Sequence, residues 1–167
     1  MDFTIRAVRP EEYEELGEIT ARAYLDDGHL TFGEDDPYLP VMKDVARRVA
    51  EAEVLVAVDA DGRLLGGVTF TAGGGAYADV AGPGEAEFRL LAVARAARGR
   101  GVGEALVRAC VERARALDGC TRMLLSTQDR MAEAHRIYER VGFTRLPERD
   151  WSPVPELSPL LVLALDL

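Results

Sequence analysis

Residues 89–110 read RLLAVARAARGRGVGEALVRAC. An apolar, β-like run enters this stretch, an amphipathic helix leaves it, and Gly99, Gly101 and Gly103 alternate between them. Glycines so spaced let a backbone turn tightly and approach another group. FRLLAV suits a buried central strand. Beyond the glycines, Leu106, Cys110, Ala114 and Leu117 form one helical stripe, and Gly119 supplies the stop. A strand, a glycine turn and a helix in this order set successive N–H groups, from Arg98 through Val102 to Glu104, at a helix N-terminus. Unpaired amides and the macrodipole favour an anion there. Arg98 and Arg100 add fixed positive charge suited to phosphate oxygens. The alternative is a tight strand-to-helix turn whose arginines are only solvated.

Two familiar phosphate loops fail on spacing. GxxxxGK(S/T) needs a lysine, and the one lysine of the chain, Lys43, lies elsewhere. GxGxxG fails because Glu104 follows Gly103.

Outward from this centre, the elements alternate. FTIRAV alternates as a strand, and Pro10 opens a helical pattern carrying Tyr13, Leu16, Ile19 and Ala23. DDGHLTFGEDDPYLP is a loop of turn formers and acids. A second helix is expected with Val41, Val45, Val49 and Ala52 facing inward. VLVAVDADGRLLGGVTF reads as a hairpin about Asp61-Gly62. TAGGGAYADVAGPGEA holds too many glycines for a regular element. TRMLLST is a buried strand, and a helix to about Val141 carries Met131, Ala134, Tyr138 and Val141 on one face before Gly142 ends it. FTRL and LLVLALDL are strands. The order β-α-α-β-β-β-α-β-α-β-β, without repeat or linker, predicts a single α/β domain over residues 1–167 with a mixed sheet.

Composition narrows the function. The 167 residues suffice for one domain burying roughly two-thirds of its unfolded surface. The basic residues are 19 Arg and one Lys, yet the formal net charge is −9. An acidic domain repels the phosphate backbone, so no nucleic-acid partner is expected, and a cationic or amine partner is weakly favoured by steering. The longest apolar stretch, LLVLAL, is far too short to span a bilayer. MDFTIRAVRPEE lacks the basic segment and apolar run of a secretory signal, so a soluble, cytoplasmic protein is expected, with no membrane partner. Cys110 and Cys120 form no CxxC, and with only His29 and His135 no metal site is expected. Cys110 lies on the apolar helix face and is expected as a buried thiol.

The loop Arg98-Gly99-Arg100-Gly101-Val102-Gly103, preceded by a strand ending LAV, resembles the acyl-CoA-binding motif (R/Q)xxGx(G/A) of the GCN5-related N-acetyltransferases. AHRIYERVGF, residues 134–143, resembles that family's later motif, a helix bearing Tyr followed by GF. The element order matches as well, so the resemblance covers nearly the whole chain. It implies a mixed, mostly antiparallel sheet flanked by helices, whose two central parallel strands splay apart around acetyl-CoA. The pantetheine arm would run along Leu91, Ala92 and Val93, and the pyrophosphate would sit on the amides of Gly99 through Glu104. Acetyl-CoA would be the acyl donor and a small amine or a peptide N-terminus the acceptor. A homodimer is an open option.

Acetyl transfer to an amine needs a neutral nucleophile, a polarised carbonyl and a proton for the departing thiolate. The backbone amide of Val93 or a neighbour, at the splay, is the candidate to polarise the carbonyl. Tyr138 matches the family's tyrosine and is assigned as general acid. A phenol near pKa 10 donating to a thiolate near 8.5 works uphill by roughly 2 kcal/mol, a deficit a tightening hydrogen bond covers. Glu87, at the start of the strand leading to LAV, is the candidate base, directly or through water. Glu85 and the cluster Glu34, Asp35 and Asp36 are alternatives, as is a merely solvated carboxylate. Where other relatives carry a glutamate on the next strand, this chain has a position near Ser126. Where many carry Asn seven residues before the tyrosine, it has Met131. His135 is placed to orient Tyr138, or is a spectator. Trp151 suits the wall of an acceptor site or a packing anchor. A catalytically silent acyl-CoA-binding regulatory module is the alternative to an enzyme, and it needs neither Tyr138 nor a base.

Overall fold

Apolar runs without alternation occupy the middle of the sheet, because strands covered on both faces have no solvent side to keep polar. The computed structural model describes residues 2–155 and 158–167. In chain order the elements are β1 (Phe3–Ala7), α1 (Tyr13–Asp26), α2 (Leu39–Lys43), α3 (Val45–Glu51), β2 (Glu53–Asp59), β3 (Leu64–Ala72) and β4 (Glu85–Val93). There follow α4 (Val102–Ala116), β5 (Arg122–Thr127), α5 (Ala132–Val141), β6 (Thr144–Arg145) and β7 (Leu161–Asp166). The strands form one sheet in the order β1-β2-β3-β4-β5-β7-β6. Every neighbouring pair is antiparallel except β4 and β5. In β2, Leu55 and Ala57 join the core beneath α4 and α5, while Val54, Val56 and Val58 pack with Leu16 of α1 and Val45 of α3. Helices therefore cover both faces, as the expected mixed sheet requires.

Two elements differ from expectation. The single helix expected over Val41–Ala52 breaks at Asp44, whose carboxylate accepts a hydrogen bond from the Arg47 amide (3.1 Å) and caps α3. Val41 is consequently exposed rather than inward-facing. The strand expected at FTRL is only Thr144–Arg145, and the segment beyond it turns through Pro147–Arg149.

The opening of the sheet has a local cause. β4 and β5 pair only from Glu85 opposite Arg122 to Glu87 opposite Leu124. Past that point β4 bulges: Arg89 faces Thr69 and Ala92 faces Gly67, so Leu90 and Leu91 share the place opposite Val68. Leu90 takes φ 58°, in the left-handed region a branched side chain rarely enters. The extra residue reverses the parity of the strand. Leu90 turns to Met42 and Tyr77, on the α1 side, while Leu91 and Val93 pack with the α4–α5 core. Beyond Glu87 the edge of β4 that faced β5 has no strand partner among the described residues, and β5 continues with β7.

Candidate functional site

A cavity of about 650 Å³ occupies the opening between β4 and β5. Phe88, Leu90 and Leu91 of β4, Ser126 and Thr127 of β5 and Tyr138 of α5 line its deep part. Two ties brace its walls. Gln128 donates to the His29 carbonyl (2.9 Å), and the Trp151 indole N–H donates to Ser126 Oγ (2.9 Å). Trp151 is thus both a wall of this cavity and an anchor.

At the N-terminus of α4, Gly101 takes φ 80°, ψ 12°, and Gly99 also takes φ 80°, a left-handed conformation that a Cβ would strain. The first helical hydrogen bond runs from Ala105 N to Gly101 O (3.0 Å). The amides of Val102, Gly103 and Glu104 therefore precede the helical ladder and are available to an anion. Gly103 differs from its neighbours: a Cβ there would lie 3.0 Å from Ile137 Cδ1, so this glycine serves the close approach of α5. The arginines are already engaged. Arg98 makes paired hydrogen bonds to Asp27 (3.2 and 2.9 Å), and Arg100 bonds Asp2 (2.7 Å). Glu104 bridges Arg108 and Arg140.

Tyr138 is buried with its ring 5.8 Å from that of Phe88 and 6.2 Å from that of Phe143. Burial pushes its phenol up, and Tyr24 and Cys110 act in the same direction. His135 turns to the end of β5, with Nε2 3.0 Å from the Gln128 carbonyl and 3.3 Å from Thr127 Oγ1. Cys110 is buried, and its thiol is pushed up by that burial.

Glu87 is the expected carboxylate that the structure places differently. It is wholly buried within β4 and does not line the cavity. Its Oε1 accepts from the amides of Val80 and Ala81 (2.9 and 3.0 Å), and Oε2 has no partner among the described residues. Desolvation raises its carboxyl against the lowering effect of those amides. Glu85, an alternative base, is committed elsewhere. Against desolvation, Arg149, the Gly82 amide and Arg122 bring its carboxyl down to about 2. Glu34 lies in a separate depression beside α1, and the Asp36 carboxylate is taken by the amides of Phe32 and Tyr38.

The sequence reading missed Asp79, Arg89 and Tyr38. Arg89 donates to the Tyr38 hydroxyl (2.5 Å) and the Tyr77 carbonyl (3.1 Å), and its Nε lies 3.2 Å from Asp79 Oδ2. All three line the cavity. The available signal was a charge, Arg89, within an otherwise apolar strand. Among the described residues, no group of three or more His, Cys, Asp or Glu is placed to hold a metal, and no helix is long and apolar enough to cross a membrane.

Similar architectures occur in solved structures of low sequence identity. A phosphinothricin acetyltransferase from Sinorhizobium meliloti in complex with AcCoA superposes with a TM-score of 0.75 at 20% identity, over 100% of this chain and 89% of that one. A GCN5-related N-acetyltransferase from Kribbella flavida superposes at 0.71 with 23% identity, over 99% of this chain and 98% of its own. The PaiA N-acetyltransferase from Thermoplasma acidophilum in complex with coenzyme A superposes at 0.75 with 14% identity, over the full length of both. Comparison with curated proteins returns no match. The sequence model of the acetyltransferase (GNAT) family matches residues 13–143, from the start of α1 through the tyrosine-bearing α5 to Phe143. That span contains the bulged strand, the glycine turn and most of the residues lining the cavity, and the chain belongs to this acetyltransferase family.

Proposed function

We propose that the chain transfers an acetyl group from acetyl-CoA to a primary amine by direct attack of the amine on the thioester. The observation that carries this reading is the cavity itself, bounded by an unpaired β4 edge and reached by a buried tyrosine. The residues present fit the donor. Left-handed Gly99 and Gly101 lead into free amides at the head of α4, which suit a pyrophosphate. The unpaired edge of β4 from Leu91 to Val93 offers backbone groups to an amide-bearing arm. Two proteins of like fold hold acetyl-CoA or coenzyme A, which supports the same donor here.

Acetyl-CoA would supply an activated acyl group and a thiolate leaving group. Backbone N–H groups at the bulge are the donors available to a developing oxyanion. Tyr138 lies in the cavity wall and supplies the proton that the thiolate takes as the C–S bond breaks. Its raised pKa keeps the phenol protonated at working pH. The nitrogen sheds a proton as the N–C bond forms, and that proton passes to the Asp79 carboxylate in the cavity wall and on to water, with Glu87 positioning Asp79 through the Val80 and Ala81 amides it holds.

Calorimetric titration with acetyl-CoA, followed by thiol release over a panel of amines, tests the reading. Saturable binding is expected, lost in Gly101→Glu at temperatures well below that variant's own lowered melting point, together with amine-dependent thiol release. Binding without thiol release for any amine would point to an acyl-CoA-binding module. Absence of binding at millimolar acetyl-CoA would end both readings.

A further inference from the structure

Beyond Tyr138, the lining of the cavity has a chemistry of its own. Its walls are aromatic: Tyr24 from α1, Phe32 and Tyr38 from the segment before α2, and Trp151 from the connection between β6 and β7. Into this aromatic box comes one half-buried carboxylate, Asp79, whose side chain keeps 30% of its exposure. Asp79 sits on the glycine-rich loop between β3 and β4, yet the loop is clamped on both sides of it. Arg89 bonds the Tyr77 carbonyl, Glu87 takes the Val80 and Ala81 amides, and Arg149 bonds the Val80 carbonyl. The clamps explain why two charged side chains, Glu87 and Arg89, stand in a buried strand: they hold this carboxylate in place.

The state of the neighbouring charges selects the ligand. Asp79 Oδ2 faces Arg89 Nε (3.2 Å), and the carboxylate keeps part of its surface open in the cavity wall. Arg89 uses each of its three nitrogens once, toward Asp79, Tyr38 and the Tyr77 carbonyl, and its charge is already paired with Asp79. Asp36 accepts one backbone amide on each oxygen, and Asp129 and Arg130 are exposed at the end of β5. One carboxylate oxygen among aromatic rings suits one ammonium on a flat apolar body, through charge pairing and cation–π contact. A polyamine would set its further ammonium groups toward Asp36 and Asp129, and an amino acid its carboxylate toward Arg89 or Arg130, all in the cavity wall, so both serve as arms of the test.

We infer that the aromatic part of this cavity is the acceptor site for a small aromatic monoamine, whose ammonium pairs with Asp79 on entry and whose ring packs among Tyr24, Tyr38 and Trp151. The inference deepens the N-acetyltransfer reading by naming the acceptor class, and it has a readout of its own. Trp151 is the sole tryptophan of the chain, so intrinsic emission reports directly on the box. The experiment titrates 2-phenylethylamine into the protein with and without saturating coenzyme A, beside 2-phenylethanol, phenylalanine and spermidine. A saturable change with the amine is expected, and binding about tenfold or more weaker for each of the other three. Asp79→Asn should weaken the amine by a similar factor while its calorimetric affinity for acetyl-CoA stays at the wild-type value. Equal binding of the alcohol and the amine to the wild-type protein overturns the inference without relying on any variant. So does tighter binding of spermidine or phenylalanine, or no emission change in either state. Thiol release separates the two readings. If the amine binds through Asp79 but releases no thiol from acetyl-CoA, the transfer reading fails and the site stands. If another amine releases thiol while 2-phenylethylamine does not bind, the site fails and transfer stands.

Discussion

Glu87 is a carboxyl with two donors on one oxygen and none on the other, shut away from water. Burial raises its pKa above the ordinary 4.5, so folding favours its protonated form. Its contribution is therefore greatest below about 4.5 and is lost as pH rises through the folded value. Glu87→Gln keeps the oxygen that accepts from Val80 and Ala81 and removes the buried charge. At pH 7 this variant should gain about 1 kcal/mol, or roughly 2–4 °C in Tm, and the gain should vanish at pH 4. Thermal melts at the two pH values check it. Tyr138 makes the opposite kind of test, because Tyr138→Phe preserves the ring contacts with Phe88 and Phe143. Loss of the acid should lower kcat by about 10² with an unchanged Kd for acetyl-CoA. Since burial pushes the Tyr138 phenol up, the wild-type rate should show no descending limb from it below pH 10. Tyr138 was legible because its helix carries both an apolar period and a family motif. The burial of Glu87 and the place of Asp79 were not, because both depend on how an irregular glycine-rich loop folds over β4.

Periodicity locates elements well where one face is dry, and the hairpin about Asp61-Gly62 is an instance: Asp59 N bonds Arg63 O across the turn (3.0 Å). It fails where a polar contact overrides the period. The helix expected over Val41–Ala52 breaks because Asp44 caps a new helix, and the break turns the Met42 carbonyl toward the interior. Arg48 answers it. This guanidinium is fully buried in α3, donates to the Met42 carbonyl at the end of α2, and reaches Thr20 of α1 (3.3 Å). It faces three tyrosines, Tyr24, Tyr38 and Tyr77, rather than a carboxylate, and burial lowers its pKa. One side chain thus joins three helices behind the aromatic wall of the cavity. Arg48→Leu should destabilise the fold by roughly 2–4 kcal/mol, since it leaves a buried carbonyl without its donor. Urea denaturation should show a lower midpoint at unchanged slope. The bulge at Leu90 has no local signature either. FRLLAV reads as an even strand, and only the register against β3 shows the parity reversing between Arg89 and Leu91.

For the whole molecule, the order of elements, apart from the helix divided at Asp44, and the mixed sheet followed from patterning alone. How tightly the two halves of that sheet are joined did not. Strands β1 to β4 form one half and β5, β7 and β6 the other, and the ladder between them spans only Glu85–Glu87. The cavity exists because the ladder stops, so something else must keep the halves from parting. Glu85 stands at that junction. Its carboxylate takes Arg122 of β5 (3.0 and 2.6 Å), Arg149 beyond β6 (2.9 and 2.9 Å) and the Gly82 amide (3.0 Å). A carboxyl held at about 2 against an ordinary 4.5 corresponds to roughly 3 kcal/mol, reduced by solvent screening to about 2. Because the folded value is the lower one, this stability is present above about 4.5 and is lost as pH falls toward 2. Glu85→Gln should therefore unfold at lower urea than the wild type at pH 7, by about 2 kcal/mol, and the two proteins should converge as pH approaches 2. A variant as stable as the wild type at pH 7 would mean that three residues of parallel ladder and the flanking helices hold the halves together unaided. The opening that admits the substrates would then have to be stabilised by packing alone.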